Sequence, residues 1–164
     1  MAKDEVIFQS IGIIHSPHQE LKGMPIQPVA AAGVKGTVIL DPFFQEGLKD
    51  LEEFSHVILL YYFHQAKSPD LLVKPFLDDV THGVFATRAP RRPNGIGISV
   101  VKLLAVEGNI LHVENLDVLD GTPLLDIKPY VPDFDEQDEV RIGWLESRRG
   151  KISKKMSDDR FLRD

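Results

Sequence analysis

A mainly β protein is what this sequence predicts: a single domain with short helices and long loops, its strands closed as a β-barrel or packed as a sandwich. Three observations carry that expectation. Short apolar stretches of strand type recur along the chain, each bounded by Gly, Pro, Asn or Asp. They follow one another through turns, not through helices long enough to link parallel strands. The chain has 164 residues, 43% of them hydrophobic, which fits one domain with a sizeable core.

The elements follow in order. Val6 to Ser16 alternates well enough for a strand ended by Ser-Pro. Gln19 to Gly33 is irregular, a long loop of the kind that carries function. Val34 to Leu40 reads as a second strand. Asp41-Pro42 is a helix start, with Asp as cap and Pro in the first turn, running to about Asp50. His56 to His64 is a nearly continuous apolar strand, expected to be buried on both faces. Lys67 to Asp79 is a loop, and His82 to Thr87 a short strand. Gly97 to Glu107 and Ile110 to Asp117 form a hairpin in which Gly108-Asn109 supplies the positive φ angles. Leu124 to Lys128 is a last short strand. Glu139 to Arg149 fits a helix by the spacing of Val140 and Trp144 and a strand by alternation through Ile142; both stay open. The barrel domain spans 1–150, followed by a charged tail, 151–164, expected to be partly mobile.

Composition removes several chemistries. With no cysteine there are no disulfides, thiolate metal sites or cysteine nucleophiles. The six histidines are scattered without ligand spacing, so no metal is expected. The charged N-terminus is neither a signal peptide nor an anchor, and no stretch is apolar enough to span a membrane. A cytoplasmic location is expected. The net charge of −6 weighs against broad nucleic-acid binding but not against a local basic face.

The basic residues are concentrated. Gly83 to Ser99 reads GVFATRAPRRPNGIGIS, and no Asp or Glu occurs from Val80 to Val106. Arg88, Arg91 and Arg92 sit on a loop stiffened by Pro and opened by Gly, suited to an anionic or planar ligand. A second dense segment, LDVLDGTPLLDIKPYVP from Leu116 to Pro132, carries acids where the first carries bases. Read alone, Asp120-Gly121-Thr122-Pro123 is an ordinary turn, Asp126 and Lys128 a surface ion pair, His64 a satisfied core histidine, and Ile98 a core residue. The other basic run is Arg148 to Lys155.

Together these segments, with IGIIHSP, MPIQP and EEFSHVILLYYFHQA in the same order, resemble the TsaA-like (TrmO) family. The resemblance covers roughly Val6 to Pro132. It implies a β-barrel enzyme that uses S-adenosyl-L-methionine to methylate the threonylcarbamoyl-modified adenosine beside the anticodon of tRNA, acting as a homodimer. It further implies cofactor contacts at Pro25, Ile26, Gln27, His64, Gln65, Arg88, Ile98, Asp117, Asp120, Gly121, Thr122 and Pro123. Arg91, Arg92 and Tyr130 are candidates for substrate contact, and Asp120 for the catalytic base. The chain departs from the family pattern at Ile26, Arg91 and Gly95. Two other classes remain: a methyltransferase with the same pocket and another substrate, and a barrel that binds without catalysing.

Overall fold

A computed structural model describes residues 4–151, 154–158 and 160–161. Among the described residues eight strands form: β1 Gly12–His15, β2 Lys35–Leu40, β3 His56–Tyr62, β4 Leu72–Val73, β5 His82–Gly83, β6 Ile96–Glu107, β7 Ile110–Glu114 and β8 Thr122–Pro129. Six of them close a barrel in the order β1-β2-β7-β6-β3-β8, and β4 pairs with β5 apart from it. Every pairing in the barrel is antiparallel. The expected barrel is therefore the fold.

Alternation places one face of each strand inside. Ile14, Val38, Val57, Leu59, Val101, Leu111, Val113 and Leu124 are buried together in the interior. β3 differs from expectation. Val57, Leu59 and Tyr61 are buried, Ile58 and Leu60 only half so, and Tyr62 is exposed. Closure gives each strand one inner and one outer face, so β3 cannot be sandwiched as a strand in a parallel sheet is. Its apolar outer residues lie beside Ile96 and Ile98, which pair with Tyr62 and Leu60.

Other elements are shorter than the sequence suggests. β1 begins at Gly12, and the exposed Val6, Ile7 and Phe8 lie before it. The capped helix after Asp41 is a 3-10 helix, Pro42–Leu48, with Asp41 Oδ1 accepting from the Phe43 N–H at 2.9 Å. The stretch after β5 turns into 3-10 helix at Val84–Ala86. In the β6–β7 hairpin Gly108 has φ +62° and Asn109 is not in the positive region. Positive φ at the first central residue alone is the requirement of a II′ turn. Asn109 instead uses its side chain, donating to Leu40 O at 2.6 Å. The segment that fits both helix and strand by its spacing forms a 3-10 helix over Gly143–Arg148.

That last helix is anchored to the β4–β5 lobe. Trp144 stacks on His82 at 4.5 Å and donates its indole N–H to Ala86 O. His82 Nε2 lies 3.1 Å from Asp78, and Arg148 donates to the same carboxylate at 3.0 Å. Flanked by His82 and Arg148, the Asp78 carboxyl is held well below the usual range. The described part of the tail is docked as well. Ser157 exchanges backbone hydrogen bonds with Gly23 and Met24, its hydroxyl donates to Leu21 O, and Met156 bridges Pro25. Arg160 donates to Pro75 O.

Candidate active site

One end of the barrel is built for binding. β3 runs out into Phe63, His64 and Gln65, and the chain from β7 to β8 crosses opposite them. Asn115 turns that crossing with φ +66°, and its side chain accepts from the Gly33 N–H at 2.9 Å. Leu116 and Val118 then bury inward, which fixes the position of Asp117 between them. A cavity of about 80 Å³ lies here, walled by Tyr61, Phe63, His64, Gln65, Asp117 and Thr122, and by Leu21, Met24 and Phe161.

Asp117 is 9% exposed. Ser99 Oγ donates to its Oδ1 at 2.5 Å, and the Tyr61 hydroxyl lies 2.9 Å from Ser99 Oγ. Burial pushes the Asp117 carboxyl up to about 6, although Ser99 and Arg88 pull it back. Burial also raises Tyr61, with the Asp117 charge adding to it. Tyr61 can lie across the interior because β6 has glycine at 97. A Cβ there would collide with the Tyr61 ring.

Asp120, only three residues on, sits differently. Its Oδ1 accepts from the Ser16 N–H at 3.0 Å and lies 3.2 Å from His15 Nδ1. The Ser16 N–H, with His15 assisting, holds its carboxyl below the usual range. Asp120 N–H donates to His18 O and Gly121 N–H to Ile14 O. Ser16 Oγ donates to Val118 O, and His18 Nε2 lies 3.0 Å from Leu116 O. The His15–His18 stretch thus clamps the acidic turn. Thr122 is buried, its hydroxyl donating to Leu119 O at 2.7 Å.

The three arginines part company. Arg88 is exposed and donates to Gln27 Oε1 at 3.0 Å, joining the Pro25–Gln27 loop to the Arg-Pro loop. Arg91 is buried; it donates to Ser68 O at 2.9 Å and pairs with Asp70 at 3.1 Å. Arg92 donates to Val84 O and Thr87 O, and its guanidinium lies over Phe85. These last two fasten their own loops.

The residues expected at the site therefore fall into groups. His64, Gln65, Asp117 and Thr122 meet at the cavity. Pro25, Ile26, Gln27 and Arg88 form a linked rim, and Asp120, Gly121 and Pro123 the turn beside it. Ile98 is 41% exposed on the outer face of β6, so it is not the core residue its neighbours suggest. Tyr130 is not brought to the cavity. Its N–H donates to His56 O, at the opposite end of β3, about 20 Å away at strand rise. Asp126 and Lys128 form a surface ion pair at 2.8 Å. Tyr61, Ser99, His15, Ser16 and Phe161 also join the site; the first four lie within the quoted segments without being named as site residues, and Phe161 lies outside them. A tyrosine and a serine at inward positions of apolar strands are the signal the sequence offers for them.

Among the described residues no group of three or more His, Asp or Glu is placed to hold a metal. No described helix is long and apolar enough to cross a membrane.

Residues 13–136 match the family model of the tRNA-methyltransferase O N-terminal domain. A probable S-adenosyl-L-methionine-binding protein of Pyrococcus abyssi is 59% identical over 157 residues, 96% of this chain and 85% of its own length. The mouse tRNA (adenine(37)-N6)-methyltransferase is 36% identical over 84% of this chain and 33% of its own. A crystal structure of TrmO from Pseudomonas aeruginosa superposes with a TM-score of 0.73 at 44% identity, covering 86% of this chain and 63% of that one. The chain thus spans a third of the mouse enzyme and under two thirds of the solved one. On the match over 13–136 and the shared barrel, the chain belongs to the tRNA-methyltransferase O family.

Proposed function

We propose that this protein binds S-adenosyl-L-methionine at the open end of the barrel and transfers its methyl group to N6-threonylcarbamoyladenosine next to the tRNA anticodon. The observation that carries the reading is a buried carboxylate on the cavity wall, Asp117, within electrostatic reach of Arg88, which Gln27 holds in place. The chemistry of these groups fits the cofactor. Arg88 suits its carboxylate, Asp120 its ammonium, and the backbone of Gly121, Thr122 and Pro123 an adenine or ribose edge. Pro25, Ile26, His64 and Gln65 enclose them. When bound, the cofactor supplies a methyl group already activated on a sulfonium, so the chain's own work is orientation and water exclusion.

The cavity of about 80 Å³ is small beside the ~300 Å³ and more of an ordinary ligand pocket. Much of a ligand must therefore lie over the rim. A second copy against the exposed Tyr62, Ile96 and Ile98 would cover it, and Ile98 would then face the cofactor from outside the barrel. The basic residues for tRNA are Arg149, Lys151, Lys154 and Lys155, with the exposed side of Arg92. A tRNA substrate places the activity in the cytoplasm. Asp120, the first candidate for a base, has a lowered pKa and better suits a lasting ion pair.

The test is calorimetric titration with S-adenosyl-L-methionine, then incubation with tRNA with and without the threonylcarbamoyl group and mass analysis of the nucleosides. Binding, and a methyl gain only on the modified adenosine, is expected. No cofactor binding, or methylation only elsewhere, would overturn the reading.

A further inference from the structure

We propose that Asp117, at the end of a buried hydroxyl chain from Tyr61 through Ser99, accepts the proton that leaves the nitrogen as it is methylated. The inference rests on the methyltransferase reading above. Its starting point is an anomaly of packing. The barrel interior is mainly aliphatic, lined by Ile14, Leu59, Val101 and Leu124. Placing a carboxylate and two hydroxyls in it costs stability unless each is satisfied, and apolar residues of like volume would serve packing better.

The direction of the chain follows from proton counting. Ser99 has one hydroxyl hydrogen and gives it to Asp117 Oδ1. Tyr61 must then donate to Ser99 Oγ. Both hydroxyls point their hydrogens toward Asp117, which ends the chain as acceptor and lies at the cavity wall. Gly97 keeps the Tyr61 ring in place. The titratable groups around Asp117 are Tyr61 from β3, Arg88 from the Arg-Pro loop, His64 across the cavity and His18 on the neighbouring carbonyl of Leu116. Of these only Arg88 carries a fixed charge, and it is the rim residue that a ligand carboxylate would engage.

The atoms and electrons balance. A nitrogen–carbon bond forms as the carbon–sulfur bond breaks, the electron pair stays on sulfur, and the nitrogen's hydrogen passes to the Asp117 carboxylate. A sulfonium and a carboxylate both become neutral, so no net charge appears in a site of low polarity. A urea-type N–H is a very weak acid until the nitrogen begins to bond carbon, and then a carboxylate suffices. With its carboxyl raised to about 6, Asp117 is ionised at neutral pH and a stronger base than Asp120.

The test uses the full chain, with single-turnover methyl transfer to modified tRNA followed from pH 5 to 9, calorimetry and thermal unfolding. The wild-type rate is expected to rise with pH through a midpoint near 6 and then level. At saturating cofactor Asp117→Asn should lose about 10²–10⁴-fold in rate and lose that pH limb. Asp120→Asn should keep the limb. Ser99→Ala removes a bond that favours the carboxylate, so it should move the limb to higher pH; a packing role alone would not. Thermal midpoints give a readout free of catalysis: Asp117→Asn should abolish a fall in wild-type stability as pH rises from 4 to 7. Wild-type rates in Asp117→Asn at saturating cofactor, or an unmoved limb in Ser99→Ala, would each overturn the proposal. If Asp117→Asn does not fold, the Ser99→Ala profile decides. A wild-type protein that binds cofactor but methylates no tRNA would instead sink the functional reading itself.

Discussion

Asp117 and Asp120 are three residues apart and have opposite electrostatic fates. Nothing in LDVLDGTP distinguishes them; the distinction arises because Asn115 turns the chain so that one carboxylate enters the barrel and the other meets the Ser16 N–H. The pH dependence of stability follows. The folded Asp117 carboxyl sits at about 6 against an ordinary 3.8. Below pH 4 both states hold the proton and the cost vanishes. From 4 to 6 the unfolded chain ionises first, so stability falls as pH rises, by up to about 3 kcal/mol above pH 6. Asp117→Asn should therefore stabilise at pH 8 by up to roughly that amount and at pH 4 by less than about 1 kcal/mol. Urea unfolding at the two pH values measures this, and equal effects at both would refute it. The three arginines diverge in the same way. Their clustering is legible in the sequence, but only the fold shows that Arg91 and Arg92 fasten loops while Arg88 stays at the rim. Arg88→Ala should weaken cofactor binding by about 1.5–3 kcal/mol if its guanidinium is desolvated there, while Arg91→Ala should loosen the 68–70 loop. Calorimetry and proteolysis separate the two; equal cofactor affinity in Arg88→Ala would remove its role.

At the scale of elements, hairpins are legible because their signals are local. β6 and β7 fall where alternation and the Gly-Asn turn put them. β3 departs from its expected burial because an apolar run does not reveal whether its second face meets a layer of helices or the outside of a barrel. The tail is least legible, since its partners are far along the chain, 133 residues away for Ser157 and Met24 and 85 for Arg160 and Pro75. Phe161 packs near Val73, Val84 and Ala89 and edge-on to Phe76 at 4.9 Å, and it walls the cavity. Ending the chain after Gly150 should thus lower cofactor affinity tenfold or more, about 1.4 kcal/mol, with an unchanged β signal in circular dichroism. Unaltered affinity by calorimetry would show that these residues contribute nothing to binding.

For the whole molecule, charge decides how tRNA can approach. A body of net charge −6 repels a polyanion, so binding must be confined to basic spots. Arg148 is unsuited to that use because it is tied to Asp78; replacing it would disturb the helix that Trp144 anchors. Arg149 pairs only on the surface with Glu146, and such pairs contribute little. Replacing Arg149, Lys154 and Lys155 by alanine should lower the salt slope of tRNA binding by roughly 0.7–0.9 for each phosphate no longer neutralised, with cofactor affinity retained. A slope identical to wild type would move the tRNA-binding surface to the Arg92 side.

The bridge between Pro25 and Met156 also sets an order of events during synthesis. All six barrel strands have left the ribosome once Pro129 has emerged, and the barrel can close then. The cavity still lacks its Phe161 wall, and the Leu21–Pro25 stretch still lacks its contacts with Met156 and Ser157. A nascent chain therefore passes through a stage with a finished scaffold and an unfinished pocket, and the pocket is completed only when Met156, Ser157 and Phe161 fold back onto the Leu21–Pro25 stretch and the barrel mouth.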